Sequence, residues 1–391
     1  MLLPKKFEDS KLNTLTAKQG YYTVGDRCYH NKVNALIEAT RTNQSVSWDF
    51  NHAVFSKQCA MPRMNVPLTT LYRERANQLR DTYDYLIIAF SGGADSDNVL
   101  KTFLYNDIKI DEIWVDWNHT MIDRSGYRLN LSKHAVNMPS EWYLSIKPEL
   151  DKIRTSHPHI KIHISESLAD TDNPEDKYDS LRINGLGHVA ITKRNRFISE
   201  YVESISGDKS VAVVMGLDKV IPYARDNEYG ILFTDGATLL KSSTFERGGC
   251  ALEYFYWTPE LPQIVTEQAH LLWDYLFQSI AFTKERIKSW DNSLNWTDRE
   301  KIFDDPIKKV CYPYWDFSKH QVNKAAFHKG DVYAYSRKYN NDVFFQGTES
   351  FLQSHFRLID ERFYDPSHTD VKELRSFFNF HKLGNLPTLN I

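Results

Sequence analysis

A short run of serine, glycine and aspartate, Ser91 to Ser96 (SGGADS), is the part of the sequence best suited to chemistry. It follows the apolar segment YLIIAF and precedes apolar residues at helical spacing, which predicts a strand, a glycine turn and a helix. Gly92 and Gly93 allow the backbone to turn tightly and to approach a ligand closely. The unpaired N–H groups and the partial positive charge at the start of a helix bind anions. The segment therefore predicts a phosphate-binding loop.

Asp95 is unexpected in a loop that holds negative phosphate. A bare carboxylate beside a phosphate would repel it by roughly several kcal/mol at low effective dielectric. Two arrangements remove the conflict, and both can hold at once. Either Asp95 caps backbone amides at the helix start, or a divalent cation lies between the carboxylate and the phosphate. Ser91 and Ser96 add hydroxyl donors. The alternative without a function is a capping aspartate with no ligand.

The run SGGADS resembles the SGGxDS signature of the PP-loop, or N-type, ATP pyrophosphatase superfamily. Similar sequences occur in the synthetase domain of asparagine synthetase, in GMP, NAD and tRNA lysidine synthetases, in 7-cyano-7-deazaguanine synthases and, more distantly, in phosphoadenosine phosphosulfate reductase. The resemblance covers about residues 82 to 240. It implies a HUP-type domain that cleaves ATP between its α and β phosphates. It also implies that the loop binds the departing pyrophosphate through Mg²⁺, with Asp95 as the metal ligand. The residues of the loop are Ser91, Gly92, Gly93, Ala94, Asp95 and Ser96.

The same resemblance places two further segments. Adenine is expected at the end of the next strand, in IWVDWNHTMIDRS, which makes Val115, Asp116 and Trp117 candidates. This segment looks like the VDHGLR region of tRNA lysidine synthetase, although Trp117 and Asn118 depart from it. A glycine after a late strand, in VVMGLDK, makes Gly216 a candidate on the phosphate side. Lys219 is the candidate catalytic residue there, together with Asp95. The whole-chain pattern is also similar to phage proteins described as reductase-like or asparagine-synthetase-like.

These residues indicate an ATP-dependent adenylating enzyme. ATP and Mg²⁺ would activate a carbonyl or carboxyl oxygen of an acceptor, and ammonia or an amine would then displace AMP. The acceptor, a small molecule or a nucleobase, is not identified by the sequence. A sulfonucleotide reductase-like enzyme is the alternative reaction, disfavoured by the intact loop and by the cysteine-free ending HKLGNLPTLNI. The second alternative is not an enzyme: a nucleotide sensor or nucleic-acid-associated module that keeps the loop but has no turnover.

The elements that must position this loop alternate between strands and helices. YLIIAF, DEIWVDW, IKIHIS and SVAVVMGL are typical of buried strands, and GHVAITKRNRFISEYVESI is typical of a helix. Such alternation predicts an α/β fold with a doubly wound parallel sheet. Tyr85–Phe90, Asp111–Trp117 and Val211–Met215 are expected to be neighbouring strands, with the site at their carboxyl ends. GILFTD is expected to add a further strand, at an edge.

Three regions are predicted. Residues 1–80 form a small α+β lobe, in which two strands flank a Gly25-Asp26 turn and are followed by the helix KVNALIEATRTN, the strand SVSWDF and a connecting helix, LTTLYRERANQLRDTY. Residues 81–250 form the PP-loop domain. Residues 251–391 form a mainly helical C-terminal region, where Thr258 and Pro259 are expected to begin one helix. TDREKIFDD and DVKELRSFFNF are expected to form two more.

Composition bounds the class of protein. The chain has 391 residues, of which 41% are hydrophobic and 25% are charged, as in ordinary globular proteins. Its apolar runs are shorter than the roughly 20 residues that a membrane helix needs, and its first residues do not resemble a secretory signal. We expect a soluble, cytoplasmic protein with no membrane partner. The formal net charge of −3 gives no overall attraction to nucleic acid, which leaves a local basic face at Lys193, Arg194 and Arg196. The oligomeric state is not readable.

Two weaker patterns concern metals and the acceptor. The four cysteines form no CxxC pair, so buried, inert thiols are expected. His157, His159 and His163 would share one face of a strand and could hold a metal, although no cysteine or acid lies beside them. The segment from Arg247 to Glu253 could line an acceptor pocket, or could equally be a turn that enters the core.

Overall fold

The computed structural model describes residue 8 and residues 17–117, 142–165, 198, 200–217, 219–225, 227–235, 250–278, 306–316 and 378–387. Its strands are β1 (Tyr21–Val24), β2 (Arg27–Tyr29), β3 (Val46–Asp49), β4 (Tyr85–Ala89), β5 (Glu112–Asp116), β6 (Lys161–Ser165), β7 (Val211–Met215), β8 (Pro222–Arg225), β9 (Glu228–Thr234), β10 (Cys250–Tyr254) and β11 (Phe378–Asn385). Its α-helices are α1 (Lys32–Thr42), α2 (His52–Cys59), α3 (Leu68–Thr82), α4 (Ala94–Tyr105), α5 (Lys147–Ser156) and α6 (Gln263–Gln278). Ala17–Gln19 form a 3₁₀ turn, Trp142–Ile146 form a π-helix, and residues 200–206 and 306–311 are also helical.

The main sheet has five parallel strands in the order β10-β7-β4-β5-β6. The central strand β4 pairs with β5 on one side and with β7 on the other, which confirms the predicted neighbours. All five residues of β7 are buried, as expected for an apolar run in the interior of a parallel sheet. Helices flank this sheet, so the fold is mixed α/β and compatible with a Rossmann-like arrangement.

The strand order reverses at β4. The chain runs from β4 outward to β5 and β6, then returns to the other side of β4 with β7 and β10. In open α/β sheets, such a reversal leaves a crevice outside the carboxyl ends of the two strands, where ligands bind. The segments that follow β4 and β7 therefore flank the crevice of this sheet.

The N-terminal residues form a second, antiparallel sheet in the order β2-β1-β3, against which α1 packs. These are the strands and the helix that the sequence predicts there. The lobe is joined to the rest of the chain through its interior. Asn379 accepts a hydrogen bond from the amide of Phe50 at 2.9 Å and donates one to the carbonyl of Trp48 at 3.0 Å.

A third sheet, β11-β9-β8, corrects two predictions. Residues 230–234 of GILFTD lie in β9, the middle strand of this antiparallel sheet, and add no strand to the parallel one. The helix predicted over residues 370–380 is wrong at its end, because Phe378–Phe380 are part of β11; residues 370–377 lie outside the described ranges. Strand pairing overrides the local helical pattern because β9 offers β11 a full ladder of hydrogen bonds. A Cβ on Gly230 would lie only 2.0 Å from the carbonyl oxygen of His381, so glycine permits this close pairing.

The region after residue 250 also differs from its prediction. The predicted boundary falls inside β10, so the parallel sheet continues into the C-terminal region. The helix expected from Thr258 and Pro259 begins at Gln263, because the hydroxyl of Thr258 bonds to the carboxylate of Glu260 at 2.5 Å instead of capping a helix. TDREKIFDD lies outside the described residues. Across the described ranges, no helix is both long and apolar enough to cross a membrane.

Candidate functional site

The SGGADS loop follows β4, as the sequence predicts, and its last three residues, Ala94 to Ser96, begin α4. Its shape depends on Ser96, which is buried. The Ser96 hydroxyl accepts a hydrogen bond from the amide of Ser91 at 3.1 Å and donates to the carbonyl of Gly93, also at 3.1 Å. Because a serine hydroxyl has one proton and Ser96 donates it to Gly93, the hydroxyl of the exposed Ser91 is the donor in its 3.1 Å contact with the hydroxyl of Ser96.

Gly92 is required by both conformation and space. Its φ of +77° lies in the left-handed region, and a Cβ there would lie 2.6 Å from Cγ1 of Ile146. The neighbouring Ser145 donates a hydrogen bond from its hydroxyl to the carbonyl of Gly92 at 2.7 Å. Ser145 and Ile146 belong to the π-helix, an element often found at functional sites. The sequence predicted no contact between this segment and the loop.

Gly216 follows β7 and meets the loop from the other side of the crevice. A Cβ on Gly216 would lie 3.0 Å from the carbonyl carbon and oxygen of Asp95 and 3.1 Å from the amide nitrogen of Ser96. The two backbone segments are therefore close enough that only glycine fits without displacement. The structure thus brings together the two segments that the sequence placed on the phosphate side.

The Asp95 carboxylate does not cap α4. The N-cap residue is Gly93, and no side chain caps this helix. Instead, Oδ1 of Asp95 accepts a hydrogen bond from the hydroxyl of Tyr312, while Oδ2 lies 3.8 Å from Nζ of Lys219. The exposed fraction of the side chain is 25% for Asp95 and 15% for Lys219. The positive charge of Lys219 therefore offsets the negative charge of Asp95, a contact that the sequence did not predict.

Buried tyrosines surround the start of α4. The hydroxyl of Tyr256 donates to the backbone carbonyl of Asp95 at 2.9 Å and accepts from the amide of Asn98 at 3.0 Å. Burial, followed by the negative charge of Asp95, raises the pKa of Tyr256 and of Tyr312 well above 10. Both hydroxyls therefore stay protonated and donate at neutral pH.

The candidate adenine residues lie at the end of β5, on the side of β4 away from β7. The Val115 side chain is fully buried, and Trp117 stacks on Trp142 with ring centroids 5.4 Å apart. Asp116 is half-buried and accepts a hydrogen bond from the hydroxyl of Ser165 at 3.2 Å. Of the three candidates, Asp116 alone offers a polar, partly exposed side chain.

The weaker metal pattern is not assembled. Within the described residues, no group of three or more histidine, cysteine, aspartate or glutamate side chains could hold a metal ion. Because β6 begins at Lys161, His157 and His159 precede the strand that carries His163. His163 lies 3.1 Å from the carboxylate of Glu112, which is fully buried.

The side chain of Glu253 forms ion pairs and a hydrogen bond in the protein interior. Its buried carboxylate lies 2.7 Å from Arg75 and 3.1 Å from Lys18, and accepts from the hydroxyl of Tyr83 at 2.5 Å. These contacts join β10 to α3 and to the N-terminal 3₁₀ turn. Arg247 lies outside the described residues, and so does the predicted basic face of Lys193, Arg194 and Arg196.

The thiols of Cys28, Cys59 and Cys311 are buried, as the sequence predicts. Burial raises the pKa of the Cys59 thiol to about 12, and burial together with Asp95 raises that of Cys311 further. Neither thiol is a ready nucleophile at neutral pH because the reactive form is the thiolate.

No family model and no curated protein sequence matches the chain. The interpretation of the site therefore depends on its own geometry. That geometry combines a helix N-terminus, two close glycine segments, a lysine and a partly exposed carboxylate at the reversal of the strand order. Such a site can bind an anion and can stabilise negative charge that develops on it.

Proposed function

We propose that the chain binds ATP in this crevice and cleaves it between the α and β phosphates, forming an adenylate on an acceptor. The observation that carries the proposal is the contact of the SGGADS loop with Gly216 at the reversal of the strand order. A phosphate chain can approach backbone N–H groups there without interference from side chains. Under this proposal, the parallel sheet is a HUP-type PP-loop domain.

The first turn of α4 binds the pyrophosphate portion of ATP. Its N–H groups have no partner within the helix and carry its partial positive charge. The exposed hydroxyl of Ser91 adds a donor when it turns from Ser96 to the phosphate, and the ammonium of Lys219 adds a full positive charge. These groups stabilise the charge that accumulates on the leaving pyrophosphate, which is the main catalytic contribution expected of a preorganised site.

A magnesium ion fits the donor set at Asp95. Mg²⁺ is usually bound through one or two carboxylates together with substrate phosphates and waters. Asp95 offers one partly exposed carboxylate, and its Oδ2 lies 3.8 Å from Lys219, beyond hydrogen-bond distance. The ion, when bound, would neutralise charge on the pyrophosphate. Phosphate oxygens offer Lys219 an alternative partner when a cation takes its place beside Asp95.

The adenine binds at the end of β5, beside Val115, Asp116 and Trp117. Since the side chain of Val115 is buried, this residue contributes its backbone rather than its side chain. The acceptor is then held so that its carbonyl or carboxyl oxygen attacks the α phosphorus. Ammonia or an amine subsequently displaces AMP from the adenylate. The protein contributes positioning and charge stabilisation in both steps.

The two alternatives make different demands on the chain. A sulfonucleotide reductase needs a reactive cysteine, and Cys311, which lies near the loop, is fully buried with a raised pKa. All three cysteine side chains that the structure describes, Cys28, Cys59 and Cys311, are buried, which favours adenylation over reduction. A sensor without turnover would bind ATP but would release no AMP, so a product assay separates it from the enzyme.

The experiment follows ATP labelled at the α phosphate, with Mg²⁺, ammonium and a set of carboxylic acids and nucleobases as acceptors. We expect labelled AMP. Labelled ADP would refute cleavage between the α and β phosphates, and ATP binding without AMP across the acceptor set would favour the sensor. Asp95→Asn keeps the shape of the side chain and should lower AMP formation by about a hundredfold or more while ATP binding survives better. Asp151→Asn, which removes an exposed acid on α5, is the matched control.

A further inference from the structure

The hydroxyl of Tyr312 contacts the carboxylate of Asp95 from a distant part of the chain. Tyr312 follows the helical residues 306–311 and is buried, with 2% of its surface exposed. It donates its hydrogen bond to Oδ1, whereas Lys219 lies nearer Oδ2. The two carboxylate oxygens of Asp95 are thus in different surroundings.

Several contacts hold Tyr312 in place independently of Asp95. Its ring packs against that of Tyr256, with centroids 5.6 Å apart. The carbonyl of the preceding residue, Cys311, accepts a hydrogen bond from the hydroxyl of Tyr72 on α3 at 2.6 Å. The carbonyl of Tyr314 accepts one from Lys101 on α4 at 3.0 Å. The segment 306–316 is therefore fixed to both helices that flank the site.

The tyrosine hydroxyl carries one proton, which Tyr312 donates to Oδ1 of Asp95. Because this hydroxyl is neutral, Tyr312 does not offer a metal the negative charge that the Asp95 carboxylate offers. The hydrogen bond is charge-assisted, a class roughly twice as strong as that between neutral groups. It limits rotation of the carboxylate about its χ2 angle.

We infer that Tyr312 is a positioning residue, which turns Oδ2 of Asp95 toward the crevice by holding Oδ1; the inference rests on the proposed function. Oδ2 is then the oxygen available to a divalent cation, and Lys219 lies beside it. Hydrogen-bond partners of metal-binding side chains typically contribute about 10- to 100-fold to metal affinity or activity. Tyr312 thereby acts on the metal requirement of the site without being a metal ligand itself.

The test measures ATP binding by calorimetry over a series of Mg²⁺ concentrations. Tyr312→Phe keeps the ring and removes the donor, and we expect it to need about 10- to 100-fold more Mg²⁺ for half-maximal ATP binding. Once Mg²⁺ is saturating, the affinity for ATP should approach that of the wild type. In an Asp95→Asn background, Tyr312→Phe should have no further effect, because the group that it positions has lost its charge.

The matched control is Tyr72→Phe, which removes a buried hydroxyl that holds the same segment without touching the Asp95 side chain. An equal shift in its Mg²⁺ requirement would overturn the inference, because docking of the segment would then be the cause. An unchanged Mg²⁺ requirement in Tyr312→Phe would overturn it and leave the proposed function standing. A wild type that binds no ATP at any Mg²⁺ concentration would refute both. If Tyr312→Phe does not fold, Tyr312→Gln supplies a different donor, and a wild-type Mg²⁺ requirement is then expected.

Discussion

Gly216 lies so close to Asp95 that the methyl group of an alanine could not be placed between them without displacement. The atoms that this methyl group would meet at 3.0 Å belong to the backbone of Asp95, which cannot move aside as the end of a flexible side chain can. Through this contact, the segment after β7 fixes the position of the first turn of α4. The shape of the crevice is therefore set by two segments that meet only in the folded chain.

Gly216→Ala should displace the SGGADS loop. We expect a loss of about 1–3 kcal/mol in the free energy of unfolding, as for overpacking elsewhere, and weaker ATP binding. Urea denaturation and calorimetry measure the two effects. Gly207→Ala is the control, because Gly207 has a φ of +52° and no atom within 4 Å of the added carbon. The control should lose about 1–2 kcal/mol through its left-handed backbone alone and bind ATP normally. Normal ATP binding by Gly216→Ala would contradict this assignment.

Lys219→Met should weaken the stabilisation of negative charge on the leaving pyrophosphate. The change removes a positive charge 3.8 Å from Asp95 and keeps most of the side chain. If Lys219 stabilises the leaving pyrophosphate, AMP formation should fall by about a hundredfold or more, and the loss should exceed that in ATP affinity. Turnover and binding are measured separately in the same buffer. Lys57→Met, at an exposed position on α2, controls for the loss of one charge. Equal losses in the two variants would remove Lys219 from the site.

Lys32 and Asp235 form an ion pair whose side chains are both 0% exposed, with Nζ 2.8 Å from Oδ2. The hydroxyl of Tyr22 donates to the same oxygen at 2.9 Å. Lys32→Met removes this ammonium from the buried carboxylate, so we expect a loss of about 3–5 kcal/mol in the free energy of unfolding. Lys147→Met breaks a half-exposed pair with Asp151 on α5 and should cost about 0.3–0.5 kcal/mol. Comparable losses in urea denaturation would contradict the distinction between the two pairs.

His381 should make stability depend on pH. Burial, with a smaller contribution from His52, lowers the pKa of His381 from 6.5 to about 3. Between these values, the unfolded state binds the proton and the folded state does not, so stability is complete above about pH 6.5 and falls as the pH drops toward 3. The slope approaches about 1.4 kcal/mol per pH unit.

The effect is isolated by comparing variants. His381→Gln should lose about 3 kcal/mol less than the wild type between pH 6.5 and 4, measured by urea denaturation at each pH. His159→Gln, at an exposed position, should follow the wild type. Parallel pH profiles for all three proteins would show that His381 takes up its proton equally in both states.

The parallel sheet and its loop could be predicted because their signals are local. Apolar runs such as YLIIAF and VAVVM are long enough to be buried on both faces of a strand, and two glycines followed by a helix allow one kind of turn. The neighbours of β4 followed from the usual topology of alternating strands and helices. In contrast, the first three residues of β11, Phe378–Phe380, were predicted as the end of a helix, because the local pattern carries no information about pairing with β9.

The sequence by itself determined the residue types of the site: the glycines, Asp95, and the lysine that follows Gly216. Only the tertiary structure decided what Asp95 contacts. Its partner Tyr312 lies 217 positions away, in a segment with no motif to mark it. Capping, one of the two roles that the sequence left open for Asp95, is not found for the same reason, because folding brings a hydroxyl and an ammonium near the carboxylate. Spacing along the chain encodes which side chains share an element, whereas contacts between elements depend on how their faces pack.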